Sequence, residues 1–162
     1  MVAQRFNEMT RVAIISCCKV KMERPAPAKN FYCSQLFTAT RRYVEREIQR
    51  GNLDGWFVLS AKHGLIEPEQ IVEPYDVTLA KMSSAAKVVW SDQVVADIRR
   101  RWKHPELCRF SVFAGMLYAQ PFNHFPRTVF PLAGEGIGDR LKFFKQQFEA
   151  PVRELVQSVL FV

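Results

Sequence analysis

The sequence lacks any long apolar run, and no stretch approaches the roughly 18 apolar residues of a membrane span. Its first ten residues also lack the apolar segment of a signal peptide. Both absences predict a cytoplasmic protein without a membrane partner. Internal repeats, low-complexity tracts and long linkers are missing too. We therefore expect a frayed tail over residues 1–10 and a single domain over residues 11–162.

Cysteine and glycine are too sparsely placed for the common metal and phosphate motifs. The four cysteines, Cys17, Cys18, Cys33 and Cys108, include no CxxC pair, and only His104 among the three histidines lies close to one of them in sequence. No metal and no cofactor are therefore predicted. The loop after the first predicted strand contains no glycine, which excludes a Walker A loop or a dinucleotide fingerprint there.

Acidic residues are in the minority, since 16 Asp and Glu face 23 Lys and Arg and give a net charge of +7. The net charge is +6 in residues 1–52, −4 in residues 53–98 and +5 in residues 99–162. Two basic segments thus flank an acidic one. They form either a phosphate-facing surface or a solvated surface without a ligand.

Short apolar runs alternate with helical patterns along the chain. Runs rich in β-branched and aromatic residues predict strands over residues 11–16, 56–60 and 109–114, and a short edge strand over residues 128–132. Helical spacing predicts helices over residues 35–50, over residues 84–102 and from Asp139 onward. Val88 is expected on the apolar stripe of the second helix, and Pro151 is expected to kink or split the third. The alternation predicts an α/β fold with a mixed or mostly parallel central sheet flanked by helices.

Two polar loops follow predicted strands. One covers residues 16–34, and the other lies in the segment of residues 61–82, which Pro68 and Pro74 predict to be irregular. In parallel sheets, ligands bind beyond the carboxyl ends of the strands. Parallel strands would therefore place both loops on one rim, where a site is expected.

The first loop offers a thiol, two ammonium groups, a phenol and a hydroxyl. Cys17 is a nucleophile if Lys19 or Lys21 stabilises its thiolate, and otherwise a small buried residue. Both lysines are candidate anion ligands. Tyr32 stacks on a base or fills the core. Ser34 helps a helix N-terminus to bind an anion or is a simple N-cap.

The second loop is the richest in chemistry, with LSAKHGLI followed by EPYD. His63 is the candidate for proton transfer, and Asp76 or Glu73 is the candidate for orienting a water. Lys62 binds a phosphate or attacks a sugar carbon. The alternative is a hydrogen-bonded surface histidine beside a structural turn. Further substrate-binding candidates in this segment are Ser60, Gly64, Glu73 and Tyr75.

A third candidate follows the third predicted strand. Gly115 permits close approach of the backbone to a ligand, and Tyr118 is placed to stack on it. The glycines of residues 134–138 resemble a phosphate loop or form a flexible connection before the last helix. Asp139 is the expected N-cap of that helix.

The order of these motifs resembles the YaaA-like domains of bacteria and phages over about residues 11–145. The matching positions are Cys17, Lys19, Lys21, residues 25–28, Tyr32, Ser34, Phe37, residues 59–66, Pro68, residues 73–76, 114–118 and 134–141. The resemblance implies an α/β fold, DNA binding and a response to peroxide. His63 stands where YaaA has a tyrosine. More distant similarities are to the catalytic domain of archaeosine synthase and to the uracil-DNA glycosylase fold.

Three functions remain open at this point. The first is an enzyme that acts on a modified base in DNA or RNA, at its N-glycosidic bond or an exocyclic group, or on a free nucleobase. Its expected catalytic residues are His63, Asp76, Cys17 and Lys62. The second is a DNA-binding protein without catalysis that uses residues 99–101. The third is a nucleotide enzyme with Cys17 as nucleophile. The oligomeric state is not predicted.

Overall fold

A computed structural model of the chain describes Phe6 and residues 9–160, with side chains as far as Glu149. Within these residues the strands are β1 (Arg11–Ser16), β2 (Ala26–Pro27), β3 (Gly55–Ser60), β4 (Gly64–Ile66), β5 (Ile71–Val72) and β6 (Arg109–Phe113). The central sheet has the order β4-β3-β1-β6, and a two-stranded sheet pairs β2 with β5. Both β3 and β6 pair with β1 in parallel, whereas β4 is antiparallel to β3.

Helices cover both faces of the central sheet. They are α1 (Ala28–Phe31), α2 (Gln35–Gln49), α3 (Ser84–Arg101), α4 (Met116–Ala119) and α5 (Ile137–Leu160). Short 3₁₀ turns lie at Leu79–Lys81, Pro105–Leu107 and Gln120–His124. The predicted fold class is confirmed: one α/β domain has a mostly parallel sheet flanked by helices.

Two side-chain caps explain where α2 and α3 begin. Ser34 Oγ accepts the backbone N–H of Phe37 at 3.1 Å, and Ser83 Oγ accepts that of Ala86 at 3.1 Å. Each bond satisfies one of the free N–H groups that every helix start leaves open. Helix α2 therefore begins one residue after Ser34, as predicted from the sequence.

The core lies on both sides of β1. On one face, Ile14 packs with Leu59 of β3 and with Ile98 and Trp102 at the end of α3. On the other face, Ile15 belongs to the cluster formed around α2 and α5. Because helices cover both faces, β1 reads as a continuous apolar run rather than an alternating one.

Residues 61–82 were expected to be irregular, and this expectation is wrong in part. They contain β4, β5 and the Leu79–Lys81 turn. Gly64 has a φ of +67°, a conformation that allows the chain to reverse between β3 and β4. The missed strands are only two or three residues long, too short for an alternating pattern to show.

Four smaller expectations are also corrected. The predicted edge strand over residues 128–132 is a single bridge of Val129 to Ser111. The Val88 side chain is 59% exposed, because the buried stripe of α3 runs through Trp90, Val94, Val95 and Ile98. Helix α5 begins at Ile137, which places Asp139 inside the first turn rather than at the cap. It continues as one helix past Pro151, which does not split it.

Part of the expected N-terminal tail packs on the domain. Phe6 is only 7% exposed, and its ring lies 5.4 Å from that of Phe57 and 6.0 Å from that of Trp102. The backbone N–H of Thr10 donates to Asp54. The other residues of the predicted tail, 1–5 and 7–8, lie outside the described residues.

Asp54 joins this N-terminal segment to the turn before β3. Its carboxylate accepts the backbone N–H of Arg11 at 2.9 Å and pairs with the Arg11 guanidinium at 2.7 Å. These contacts, chiefly the side-chain bond from Arg11, lower the pKa of Asp54 to about 2. The ionised form is therefore favoured in the folded protein.

Asp54→Asn is expected to cost about 1 kcal/mol of unfolding free energy at neutral pH, because solvent screens this partly exposed pair. The folded pKa lies below the unfolded value of about 3.9, so wild type has the full advantage above about pH 4. It loses that advantage as the pH falls toward 2. Urea unfolding of both proteins at a series of pH values tests this, and a constant difference across that range would contradict it.

Candidate functional site

Three parallel strands end at the same edge of the sheet. The loops after β1, β3 and β6 begin there with Cys17, Ala61 and Ala114. The backbone N–H of Cys17 donates to the carbonyl of Leu59 at 2.9 Å, which continues the β1–β3 ladder into the first loop. The two polar loops predicted from the sequence therefore share one rim, as the parallel arrangement requires.

A chain of three hydroxyl groups lies at the centre of this rim. The Tyr75 hydroxyl is 2.8 Å from Ser60 Oγ and 2.6 Å from the Tyr32 hydroxyl. Ser60 is fully buried and Tyr32 is 1% exposed, whereas Tyr75 is half-buried. Of its two expected roles, Tyr32 fills the core with its ring, which leaves no exposed face to stack on a base, and its hydroxyl joins this chain.

The hydrogen bonds of Ser60 fix the direction of its proton. Its Oγ accepts the backbone N–H of Lys62 at 3.2 Å and of His63 at 3.1 Å. Because both lone pairs are then occupied, Ser60 donates to Tyr75. Tyr75 in turn either accepts from Tyr32 or donates to it. When Tyr75 accepts, its own proton has no acceptor among the described residues, and because Tyr75 is only half-buried this proton is available to a ligand. When Tyr75 donates, the remaining proton is on Tyr32, which is buried.

The phenols of this rim are neutral donors at physiological pH. Burial raises the pKa of Tyr32 to about 12. Burial also raises the pKa of Tyr75 and of Tyr118. None of the three phenols is therefore a base at neutral pH, and each is able to donate a hydrogen bond to developing negative charge.

Cys17 is a neutral thiol in this environment. Its Sγ donates to the Tyr118 hydroxyl at 3.7 Å. Burial raises the pKa of Cys17, and this outweighs the opposing effects of a hydrogen bond to Ala61, of Tyr118 and of the Lys21 charge. The lysines of the first loop therefore do not convert Cys17 into the thiolate that a nucleophile requires.

Cations surround the ring of Tyr75. The ammonium of Lys21 lies 4.9 Å from its centroid and that of Lys62 lies 5.6 Å from it. The His63 ring meets it edge-on at 5.4 Å, and Phe31 stacks on it at 6.1 Å. Burial and the Lys62 charge lower the pKa of His63, so its imidazole is neutral at physiological pH.

A cavity of about 480 Å³ opens between the loops after β1 and β6, and we name it the strand-end cavity. Three lysines and no carboxylate line it, and none of these lysines forms an ion pair within the described part of the chain. Its walls are otherwise mostly apolar. The residues that line it include Cys17, Lys19, Lys21, Val77, Lys81, Met116, Leu117 and Tyr118.

A second cavity of about 550 Å³ lies between α3 and the turn before β4, and we name it the helix-side cavity. It is lined by cationic, amide and aromatic groups: Lys62, His63, Gln70, Trp90, Gln93, Arg100 and Arg101. Asp97 is the carboxylate among its lining residues, and it pairs with both arginines.

The remaining predicted site residues are dispersed. Ser34 caps α2 and borders a small cavity of about 70 Å³ on the opposite face of the sheet. Glu73 and Asp76 are exposed, and neither has a hydrogen bond or ion pair with a described residue. Gly115 lines the strand-end cavity, but a side chain there would meet open space, so its lack of one is not required.

The structure also reveals site residues that the sequence reasoning missed. Lys81 and Val77 enter the strand-end cavity from the turn after the EPYD segment. Trp90 donates its indole N–H to the Ser60 carbonyl at 3.0 Å and so fixes the end of β3. The sequence around Lys81 is an ordinary short turn, and Trp90 belongs to the apolar stripe of a helix. Neither local pattern indicates a contact with the site.

Fold and site together define the class of protein: a one-domain α/β protein whose parallel strands end at two adjoining cavities. Residues 12–146 match a family of unknown function (DUF6884), and the chain belongs to that family. The uncharacterized protein YfjM of Bacillus subtilis (strain 168) is 36% identical over 77 residues, which cover 43% of this chain and 48% of that relative. The chain thus matches about half the length of that relative.

One comparison and two structural searches gave negative results. No solved structure matches this chain. Among the described residues, no helix is both long and apolar enough to cross a membrane. The same residues contain no group of three or more His, Cys, Asp or Glu side chains arranged to hold a metal ion.

Proposed function

We propose that this protein is an enzyme that acts on a modified base in DNA or RNA, at its N-glycosidic bond or an exocyclic group. The strand-end cavity is the observation that carries the proposal. It combines unpaired ammonium groups with apolar walls, as a ligand with a phosphate and a flat ring requires. The resemblance to YaaA-like domains and the net charge of +7 agree with such a ligand.

The cavity suits one nucleotide in both size and charge. Its volume of about 480 Å³ falls within the range of about 300–1,000 Å³ typical of small-molecule sites. Lys19, Lys21 and Lys81 supply positive charge, and no carboxylate is among the described residues that line the cavity. Met116 and Leu117 offer apolar surface, and Tyr118 offers an aromatic ring, against which a base packs.

The catalytic groups are a carboxylate and neutral proton donors. In hydrolysis of an N-glycosidic bond, water adds to the sugar carbon and the base leaves with a proton. Asp76 orients that water and stabilises the positive charge that develops on the sugar. His63 and the free phenolic proton of the Ser60–Tyr75–Tyr32 chain stabilise the charge on the departing base.

The two alternatives receive less support. A Cys17 nucleophile requires a thiolate, whereas burial raises the pKa of this thiol. DNA binding without catalysis was expected to depend on residues 99–101, yet Arg100 and Arg101 both pair with Asp97. The free cysteines agree with the reducing cytoplasm, where we place the reaction.

The test is to incubate the protein with cellular DNA and RNA, digest the products to nucleosides and identify released bases and altered nucleosides by mass spectrometry. Lys81→Ala should lower kcat/KM roughly tenfold, because one charged contact to phosphate is lost. Lys142→Ala removes an exposed lysine outside both cavities and should leave turnover unchanged. Absence of any product from both nucleic acids, together with absence of binding, would refute the proposed function.

A further inference from the structure

We infer that the ligand is a single-stranded nucleic acid that occupies both cavities, with one nucleotide in each and the linking phosphate between Lys21 and Lys62. The inference rests on the proposed function and narrows its substrate from any nucleobase to a polymer. It also assigns a binding role to the helix-side cavity. Of the residues that line this cavity, only His63 has a part in the proposed catalysis.

Lysines at the Tyr75 ring connect the two cavities. Lys21 lines the strand-end cavity and Lys62 lines the helix-side cavity, yet both ammonium groups lie within 5.6 Å of the same ring centroid. Neither lysine forms an ion pair within the described residues. We therefore place the linking phosphate beside the edge of this ring, where the flexible side chains of Lys21 and Lys62 extend toward it from the two cavities, and the nucleotides on either side enter different cavities.

A second contact joins the same cavities independently. Trp90 lines the helix-side cavity and Tyr118 lines the strand-end cavity. Their rings meet edge-on with centroids 5.7 Å apart. A shared aromatic wall thus runs between the two cavities, in addition to the two lysines at Tyr75, and it places adjacent nucleotides on its opposite sides.

The lining of the helix-side cavity suits a base better than a second phosphate. The Asp97 carboxylate already pairs with Arg100 and Arg101, which reduces the positive charge there. The amides of Gln70 and Gln93 each supply both donors and acceptors, as reading the edge of an unpaired base requires. An acidic peptide would offer neither a flat ring nor such an edge.

Single strands fit this geometry and duplexes do not. Bases reach a concave pocket only when they are unstacked and unpaired, and proteins that bind single strands combine cations along the backbone with aromatic contacts to bases. DNA and RNA share this chemistry, so the choice between them is left to the experiment.

The experiment measures the binding of fluorescein-labelled eight-nucleotide DNA and RNA by anisotropy, and of nucleoside 5′-monophosphates by calorimetry. We expect at least one octanucleotide to bind more than tenfold tighter than any monophosphate. Lys62→Ala and Gln93→Ala should each weaken octanucleotide binding at least fivefold and leave monophosphate binding within twofold. Lys62→Ala should also reduce the slope of log affinity against log salt by roughly 0.7, the value for one single-strand phosphate. Lys142→Ala is the control for loss of charge.

Four results would overturn the inference while the proposed function stood. The first two are equal affinity of the wild type for octanucleotide and monophosphate, and equal weakening of both affinities by Lys62→Ala. The other two are tighter binding of the matching duplex than of the single strand, and displacement of the octanucleotide by an equal concentration of an eight-residue polyglutamate peptide. Failure of wild type to bind any oligonucleotide or monophosphate would instead overturn the inference and the proposed function together. Preference for DNA or for RNA identifies the natural polymer.

Discussion

Trp102→Ala should lower the free energy of unfolding by about 3–5 kcal/mol, the cost of truncating a large aromatic side chain in a packed core. Trp102 follows α3 and is 1% exposed. Its ring lies 5.4 Å from that of Phe57 and 5.4 Å from that of Phe110, and 6.0 Å from that of Phe6. It therefore joins the N-terminal segment, two strands and the end of a helix, and the cavity left by alanine cannot close by one local shift. Urea unfolding followed by circular dichroism measures the loss.

Trp102→Phe separates packing from hydrogen bonding at this position. The indole N–H of Trp102 is buried and has no hydrogen-bond partner among the described residues. Phenylalanine keeps an aromatic ring and removes an unsatisfied donor, so the loss of stability should be clearly smaller than for alanine. Equal losses of unfolding free energy in the two variants would contradict this prediction.

Much of the fold could be predicted because its signals are local. The run Arg11–Ser16 is apolar and β-branched, and β1 occupies those residues. Ser34 and the positive φ of Gly51 mark the two ends of α2. The strands β4 and β5 escaped prediction because their pairing depends on partners elsewhere in the chain, and two or three residues hold no period of their own.

The candidate site could be predicted only in outline. Parallel strands bring the loops after β1 and β3 to one rim, so the sequence order places Cys17 and His63 in the same region. It does not show that the ring of Tyr75 lies beside Lys21 and Lys62, which line two different cavities. The hydrogen bond from Ser60 helps to hold Tyr75 there, and this contact over fifteen residues forms only in the folded chain.

Asp76→Asn should reduce kcat on the true substrate by about 10²–10⁴-fold, the usual contribution of a positioned acid or base. Asp76 is exposed and bonds to no described residue, so folding does not commit its carboxylate elsewhere. In sequence it stands between Tyr75, a member of the hydroxyl chain, and Val77, which lines the strand-end cavity. Asparagine keeps the shape but accepts no proton, so the water loses its base. Single-turnover rates on the substrate found by mass spectrometry measure the effect.

Binding and stability should both survive this substitution, which distinguishes catalysis from folding. Exposed side chains without partners usually change stability by less than about 0.5 kcal/mol, so thermal unfolding should be unchanged. Octanucleotide affinity should stay within twofold of wild type, because the lysines and not Asp76 hold the phosphates. Asp92→Asn removes an equally exposed carboxylate from α3 and should keep full turnover. If Asp76→Asn also turns over at the wild-type rate, the carboxylate has no part in the reaction, and another group is the general base.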